Sequence, residues 1–305
     1  MCADSMFTHT IPTPTGNIVT NFEHAEKLVP LGKDMPAAAM LNGNAVLIDE
    51  FVSVTIKRAG AHLERTGKAG TKEIIDSVKA AVNSLYNAKL AILKPLWAQQ
   101  WSTPEALAKV NPDRRSRGLP DVTVVTPDRV AVVGDPANST DPTAYDVFYP
   151  YGLTVIVASY FGDAPAATEL IWPGCRQNDI LATFGKTLVW WGSGSVPVSR
   201  LMRGVDLDRL RESAKTDADA QAADNFFQRE AVSFSMPVPM SAMPLQDAID
   251  FAEFMGETAC GYDRFRAGPP TVGGELDTLV LTPGNWEWVE HKVYHSRRKR
   301  QGGSR

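Results

Sequence analysis

The order of the periodic segments along the chain is the feature that most limits its fold. Apolar residues recur every three to four positions over 47–63 and again over 71–90, so each segment has one apolar helical face. Segments rich in β-branched and apolar residues lie before this helix pair, over 18–46, and after it, over 153–174. Turn residues separate the strands within both of those segments. The sequence therefore predicts a pair of helices between two groups of strands.

The C-terminal part continues the pattern with one more helix and two more strands. Residues 244–262 have an amphipathic helical period, and strand character returns over 278–282 and 286–293. The full order is strands, two helices, strands, helix, strands. This order favours two sheets packed between helix layers over an alternating parallel fold.

Proline-rich sequence interrupts this regular pattern once. Pro95 is expected to end or kink the second helix. The stretch 96–148 carries many prolines and only short periodic segments, which indicates an elaborated surface connection. We interpret it as an insertion in a single domain that spans 1–296. The basic run in 297–305 is predicted to be a solvated, flexible tail.

Composition excludes several classes of protein. The chain has 305 residues, 44% hydrophobic and 22% charged, which are ordinary globular values. A net charge of −4 gives no reason to expect a nucleic-acid partner. The three cysteines form no CxxC pair, and no apolar run is long enough for a membrane span. These features predict a cytoplasmic protein with reduced thiols, without a membrane segment, metal site or cofactor.

Five short motifs follow one another along the chain. In order they are Ala-Asp-Ser at 3–5, a Lys-containing strand with its small-residue partner over 26–45, the hairpin over 153–174, Trp-Gly-Ser-Gly at 191–194, and a helix with a Gly-Gly turn and final strands over 248–277. This order resembles the β-type subunits of proteasomes and their bacterial relatives, which are N-terminal-nucleophile (Ntn) hydrolases. The resemblance implies an α+β fold, a four-layer αββα sandwich.

The resemblance also assigns roles to individual residues. In this family an N-terminal hydroxyl or thiol attacks an amide, with its own α-amine as the base. By position, Asp4 is the carboxylate that orients a lysine, and Lys27 is that lysine. Ser193 matches a serine that helps to set the amine. The turn containing Asn42 and Gly43 is expected to supply the backbone N–H of an oxyanion hole.

The nucleophile itself has no counterpart in this alignment of motifs, because Met1 stands where the second strand of the family should end. A strand lacking its neighbour would have unpaired backbone groups. We therefore expect an N-terminally truncated sequence, with a native start roughly fifteen residues earlier. As written, the chain is expected to be inactive.

Three functions remain open at this point. The first is a proteasome-like threonine-type peptidase, assembled into a homo-oligomeric ring and acting on peptides, with any ATPase partner unknown. The second is a catalytically inactive member of the family with a structural or interaction role. The third is an Ntn amidohydrolase that acts on small amides. His291 and His295, four residues apart in a strand, do not build the helical metal site that this spacing suggests.

Overall fold

The structure is a computed structural model, and it describes much of the chain. The described residues are 1–4, 6–13, 16–22, 25–43, 50–67, 70–116, 120–126, 129–132, 152–172, 174–184, 195–204, 219, 221–222, 225–226, 236, 238–266 and 270–292. Over these residues the chain combines helices with antiparallel sheets, as a protein of the α+β class does.

The described elements are twelve strands and six α-helices, with one short 3-10 helix at Met240–Ala242. The strands are β1 (Cys2–Asp4), β2 (Phe7–Thr13), β3 (Gly16–Phe22), β4 (Leu28–Pro30), β5 (Ala37–Gly43), β6 (Val122–Thr126), β7 (Arg129–Val132), β8 (Leu153–Phe161), β9 (Ala164–Trp172), β10 (Arg176–Asp179), β11 (Leu276–Thr282) and β12 (Asn285–Glu290). The helices are α1 (Glu50–Thr66), α2 (Thr71–Trp101), α3 (Pro104–Ser116), α4 (Ile180–Phe184), α5 (Ser195–Arg203) and α6 (Leu245–Phe265).

The larger sheet has five strands in the order β10-β9-β8-β5-β4, all of its pairs antiparallel. Its centre is the β8–β9 hairpin, which turns at Gly162 with a φ of 60° and confirms the hairpin predicted there. Strand β5 pairs with β8 from Ala37, opposite Ser159, to Gly43, opposite Leu153. The regular antiparallel register fixes which residues of β5 face each side of the sheet.

The smaller sheet joins the two ends of the described chain, in the order β1-β11-β12. Strand β1 pairs antiparallel with β11, so that Ala3 lies opposite Asp277 and Asp4 lies opposite Leu276. Strand β12 returns antiparallel to β11 after a tight turn at Gly284, where φ is 81°. Two further hairpins, β2–β3 and β6–β7, stand apart from these sheets.

Helices α1 and α2 cover one face of the five-stranded sheet. Alternate residues of β5, namely Ala37, Ala39 and Leu41, point into a core that α1 and α2 complete with Ile56 and Ile74. The small side chains of β5 allow the helices to lie close to the sheet, and the alternation with period two produces this single apolar face. This core is the largest apolar cluster of the described residues.

The opposite face of the five-stranded sheet contacts the smaller sheet. Leu28 of β4 and Ala38 of β5 are fully buried against Leu279 of β11. Partly buried residues of β12, Trp286 and Trp288, surround this contact. The two antiparallel sheets therefore contact each other through these residues, with aromatic side chains beside the contact.

Helix α6 packs against the smaller sheet. A Cβ atom placed at Gly256 of α6 would lie 2.9 Å from Leu276 Cδ1 and 3.2 Å from Cys2 Sγ. A Cβ at this position would make the ends of the Leu276 and Cys2 side chains move, so the glycine eases the close approach of the helix to β1 and β11. Val198 of α5 and Met255 of α6 belong to one apolar cluster, so α5 packs against α6.

Two details of the proline-rich stretch differ from expectation. Helix α2 does not end at Pro95, one of the two outcomes expected there, but continues to Trp101, and a kink at Pro95 stays a prediction. A 13-residue helix, α3, and the β6–β7 hairpin then occupy part of 96–148, where only short elements were predicted. Residues 133–148, the strand predicted at 187–191 and the basic tail at 297–305 lie outside the described residues.

Candidate active site

The candidate site is centred on an ion pair between the two sheets. Lys27 Nζ donates to Asp4 Oδ1 over 2.8 Å, and their side chains are 15% and 18% exposed. Lys27 directly precedes β4 of the larger sheet, and Asp4 is the last residue of β1 in the smaller sheet. The structure therefore brings together the carboxylate and the lysine that the sequence paired across 23 residues.

The second oxygen of the Asp4 carboxylate is held by backbone donors. Asp4 Oδ2 accepts the N–H of Met6 and the N–H of Gly273, each at 3.2 Å. Met6 N also donates to the carbonyl of Gly273 at 2.9 Å, which joins the end of β1 to the segment before β11. With donors on both oxygens, the carboxylate has a fixed orientation towards Lys27.

The segment that donates Gly273 N–H is itself organised by Asp263 at the end of α6. The buried Asp263 carboxylate accepts the backbone N–H groups of Thr271 and Val272, the latter at 2.8 Å. Its other oxygen lies 2.9 Å from Arg266 Nε. Asp263 lies in the last turn of α6, ahead of the Gly-Gly turn at 273–274. Here it supports the turn and its carboxylate bonds to that segment and to Arg266.

The turn predicted at Met40–Gly43 is wrong, because these residues continue β5, whereas the oxyanion role assigned to Asn42 and Gly43 stays a prediction. Asn42 pairs with Thr154 and Gly43 pairs with Leu153, in regular antiparallel register. Gly43 has a φ of 148°, and a Cβ there would overlap the carbonyl of Gly152. The glycine is thus needed for the close approach of β8, a requirement that the sequence pattern does not separate from a turn.

Asn42 and Gly43 nevertheless follow directly after a residue of β5 that is hydrogen-bonded to the backbone of Lys27. Leu41 N donates to the carbonyl of Lys27 at 2.7 Å, so Asn42 and Gly43 are the next two residues of the strand bonded to Lys27. Ser193, the remaining predicted site residue, lies outside the described residues. Of the residues assigned by resemblance, the structure thus joins Asp4 with Lys27 and shows β5 bonded to the backbone of Lys27.

The thiols of Cys2 and Cys260 lie close enough to interact electrostatically. Cys260 also interacts with the charges of Asp4 and Lys27. The pKa of Cys260 is raised to about 11, first by burial and then by the charges of Asp4 and Cys2, whereas Lys27 lowers it. Burial also raises the pKa of the Cys2 thiol. Both thiols are therefore protonated at neutral pH and poor nucleophiles as they stand. No contact between these cysteines was predicted, because nothing in their spacing indicates that they approach each other.

A second polar cluster beside the site was missed by sequence reasoning. It consists of Asp277 in β11 and of His291 and Lys292 after β12. The side chains of Asp277 and Lys292 are each only 1% exposed. Asp277 is the one charged residue of β11, whose other residues are Leu, Val and Thr, and this acidic residue is the sequence signal that could have indicated a buried partner.

Comparison with known proteins gives no relative: no family model matches the chain, and neither does any curated protein. In the described part of the chain, no helix has the length and apolar character needed to cross a membrane. The same residues contain no group of three or more His, Cys, Asp or Glu side chains placed to hold a metal ion. The site is therefore interpreted from its own geometry and from the resemblance of its motifs.

Proposed function

We propose that the chain is a proteasome-like peptidase subunit of the Ntn-hydrolase class. The observation that carries this proposal is the 2.8 Å ion pair between Lys27 and Asp4. These two residues come from separate motifs, and the proposal requires them to meet. A surface ion pair would not distinguish this function, but this pair is largely buried between two sheets and orientated by further donors.

The packing of the sheets supports the same proposal. Helices α1 and α2 lie on the outer face of one sheet, α6 lies on the other sheet, and the two sheets contact each other through Leu28 and Leu279. We interpret these contacts as the four layers of an αββα sandwich. In this interpretation residues 1–296 form one domain, and α3 with the β6–β7 hairpin belongs to its insertion.

The chemistry expected of such a site is acyl transfer. The oxygen or sulfur of an N-terminal Thr, Ser or Cys attacks the substrate carbonyl carbon, and its proton passes to the α-amine of the same residue. The C–N bond then breaks, and the leaving amine takes that proton. Water hydrolyses the resulting acyl-enzyme and releases the carboxylic acid. Each step conserves its atoms and requires neither an oxidant nor a reductant.

Lys27 contributes a fixed positive charge to this scheme. An ammonium close to the α-amine lowers the amine's proton affinity by like-charge repulsion, so that the amine is free to act as a base. Asp4 holds that ammonium in one direction. The N-terminal nucleophile is not among the described residues beside Lys27, and the protonated thiols of Cys2 and Cys260 do not substitute for it.

The remaining parts of the proposal rest on the resemblance. They are a homo-oligomeric ring, peptide or protein substrates, and a cytoplasmic location in which Cys2, Cys175 and Cys260 stay reduced; all three cysteines are free in the structure. The alternatives are an inactive structural subunit of the same fold and a hydrolase of small amides.

Hydrolysis of fluorogenic peptides by the protein purified from its native source tests the proposal. The intact mass and the N-terminal residue are determined on the same sample, and the assembly is measured by native mass spectrometry. We expect an N-terminal Thr, Ser or Cys, and a loss of kcat on the order of 10²-fold or more in D4N and K27M variants. The K57M variant, which removes a lysine from the surface near Lys27, should retain activity. Assembled protein without any hydrolysis would instead support the inactive subunit, and turnover of small amides alone would support the amidohydrolase.

A further inference from the structure

We propose that the buried ion pair of Asp277 and Lys292 positions Lys27 against Asp4. This inference rests on the proposed function, in which Lys27 is the cation of the site. Asp277 and Lys292 are thus positioning residues, which act through Lys27 and do not themselves touch a substrate.

The contacts of Lys292 reach from one sheet to the segment that carries Lys27. Its ammonium contacts Asp277 Oδ2 and donates to the carbonyl of Ala25 at 2.8 Å. Ala25 lies two residues before Lys27, and Lys27 in turn directly precedes β4. Lys292 therefore links the end of β12 to the backbone that leads into Lys27.

Asp277 is anchored at the other end of the same ion pair. Its Oδ1 accepts the backbone N–H of Lys292 at 3.0 Å and lies 2.9 Å from His291 Nδ1. In the register of the smaller sheet, Asp277 lies opposite Ala3, directly beside Asp4 in β1. The pair thus connects the strand next to Asp4 with the segment that carries Lys27, and it fixes both partners of the site.

Two lysines consequently cross between the sheets in opposite directions. Lys27 reaches from the edge of the larger sheet to Asp4, and Lys292 reaches from the smaller sheet to Ala25. A side chain with many rotatable bonds holds a position only when its backbone is held as well. The second crossing supplies this constraint for the first.

The burial of the pair supports a positioning role over a purely stabilising one. Both side chains are 1% exposed, and removing two charges from water is costly even when they pair. Apolar residues of similar volume commonly stabilise a core as well or better. An ion pair at this location provides what apolar residues lack, namely a donor for the carbonyl of Ala25 in one fixed place.

His291 closes the exposed side of the pair. Its ring stacks on Trp288 with centroids 4.0 Å apart and an interplanar angle of 13°, and its side chain is 32% exposed. Trp288 belongs to the cluster between the sheets. The imidazole thus separates the Asp277 carboxylate from solvent while bonding to it.

The experiment measures how well Lys27 is held, without relying on turnover. Lys27 is acylated with acetic anhydride in the full-length protein, and its labelling rate is followed by peptide mapping. The test variant is D277N/K292M, which removes both buried charges while the amide at 277 keeps an acceptor for the backbone N–H of residue 292. D4N releases Lys27 directly and defines the rate of the free side chain. K57M is the matched control, because Lys57 contacts Glu26 in the same segment from the surface.

We expect Lys27 to be labelled several-fold faster in D277N/K292M than in the wild type, approaching the rate in D4N, while K57M stays at the wild-type rate. The proposal is overturned by an unchanged rate in a folded D277N/K292M variant, and also by an equal acceleration in K57M. Circular dichroism and urea unfolding establish that the variants are folded.

A measurement on the wild-type protein decides the matter if the double variant does not fold. The ammonium protons of Lys292 should exchange with water much more slowly than those of Lys57 in ¹⁵N-labelled protein, because Lys292 is buried and bonded twice. Equal exchange rates of the Lys292 and Lys57 ammonium protons would show that Lys292 does not bond to Ala25 in solution. Failure of the proposed function gives a different result: D4N would accelerate the labelling of Lys27 and leave peptide hydrolysis unchanged.

Discussion

Lys27 Nζ and Asp4 Oδ1 lie 2.8 Å apart, although Asp4 ends a strand of the smaller sheet and Lys27 directly precedes a strand of the larger one. The pair is largely buried, and Gly273 N–H holds the carboxylate from a third segment. Contacts from three parts of the chain meet at this carboxylate, so the site forms only when the two sheets are correctly packed. Fold and candidate chemistry are therefore coupled at Asp4.

Substitution of Asp4 should reduce stability as well as activity. D4N removes the charge that compensates the ammonium of Lys27, and we expect the free energy of unfolding to fall by about 1–3 kcal/mol. Urea denaturation measures this change. The control is D76N, which breaks another Asp–Lys pair, Asp76 with Lys72, whose side chains are 58% and 84% exposed. That variant should unfold like the wild type. Equal losses of unfolding free energy in D4N and D76N would contradict the partial burial of the Asp4–Lys27 pair.

Two glycines of helix α6 should respond in opposite directions to the same substitution. Alanine at Gly256 would bring its Cβ within 2.9 Å of Leu276 Cδ1, whereas Gly261 has open space around it. G261A should stabilise the protein by about 0.5–1 kcal/mol through helix propensity. G256A should destabilise it by about 1–2 kcal/mol, because overpacking against β11 exceeds that gain. Thermal and urea unfolding of both variants test this; stabilisation by G256A would show that α6 does not pack against the smaller sheet.

The fold could be predicted from sequence wherever one period dominated a segment. The β8–β9 hairpin, α6 and the two final strands follow from local patterns of apolar and turn residues. The course of α2 beyond Pro95 could not be predicted from the local rule, which expects a proline to end or kink a helix. Tertiary contacts near Ala98, which is 5% exposed, accompany the continuation of this helix.

The candidate site was predictable only in part, for a physical reason. Asp4 and Lys27 each belong to a recognisable strand motif, and the resemblance of those motifs to a known family paired them. Asn42 and Gly43 were placed in a turn by the resemblance of the motifs, whereas the strand needs Gly43 for the close approach of Gly152. The contact of Lys292 with Ala25 spans 267 residues, and no local pattern encodes it.

Alkaline pH should destabilise the protein through two weak acids, the half-buried Cys260 thiol and the buried Tyr86 hydroxyl. Burial raises the pKa of Cys260 to about 11 and that of Tyr86 to about 12, above the ordinary values of 9.0 and 10.0. Below pH 9 both groups are protonated in the folded and the unfolded chain, so their contribution is fully present. Between about pH 9 and 12 the unfolded chain ionises first, and stability falls.

Urea midpoints measured under reducing conditions at pH 8 to 11 test this expectation. The wild type should lose stability as pH rises, and a C260S/Y86F variant should show a flatter dependence because neither replacement titrates in this range. Parallel pH profiles of the two proteins would assign the alkaline loss to other groups.

Glu64 should stabilise the turn between β4 and β5, which sets where the chain enters β5. Its carboxylate accepts the N–H of Lys33 at 3.0 Å and the N–H of Asp34 at 2.7 Å. Gly32, with a φ of 84°, makes the turn, and its carbonyl accepts the indole N–H of Trp286 at 3.1 Å from the other sheet. The turn thus joins α1 to both sheets.

The substitution E64Q retains one acceptor oxygen but removes the charge that strengthens both hydrogen bonds. We expect a loss of about 1–2 kcal/mol in the free energy of unfolding. Amide hydrogen exchange at Lys33 and Asp34 should accelerate in the same variant. E257Q, on the exposed surface of α6, is the matched control and should change neither quantity. Unchanged exchange at Asp34 in E64Q would mean that the Glu64 carboxylate does not hold this turn in solution.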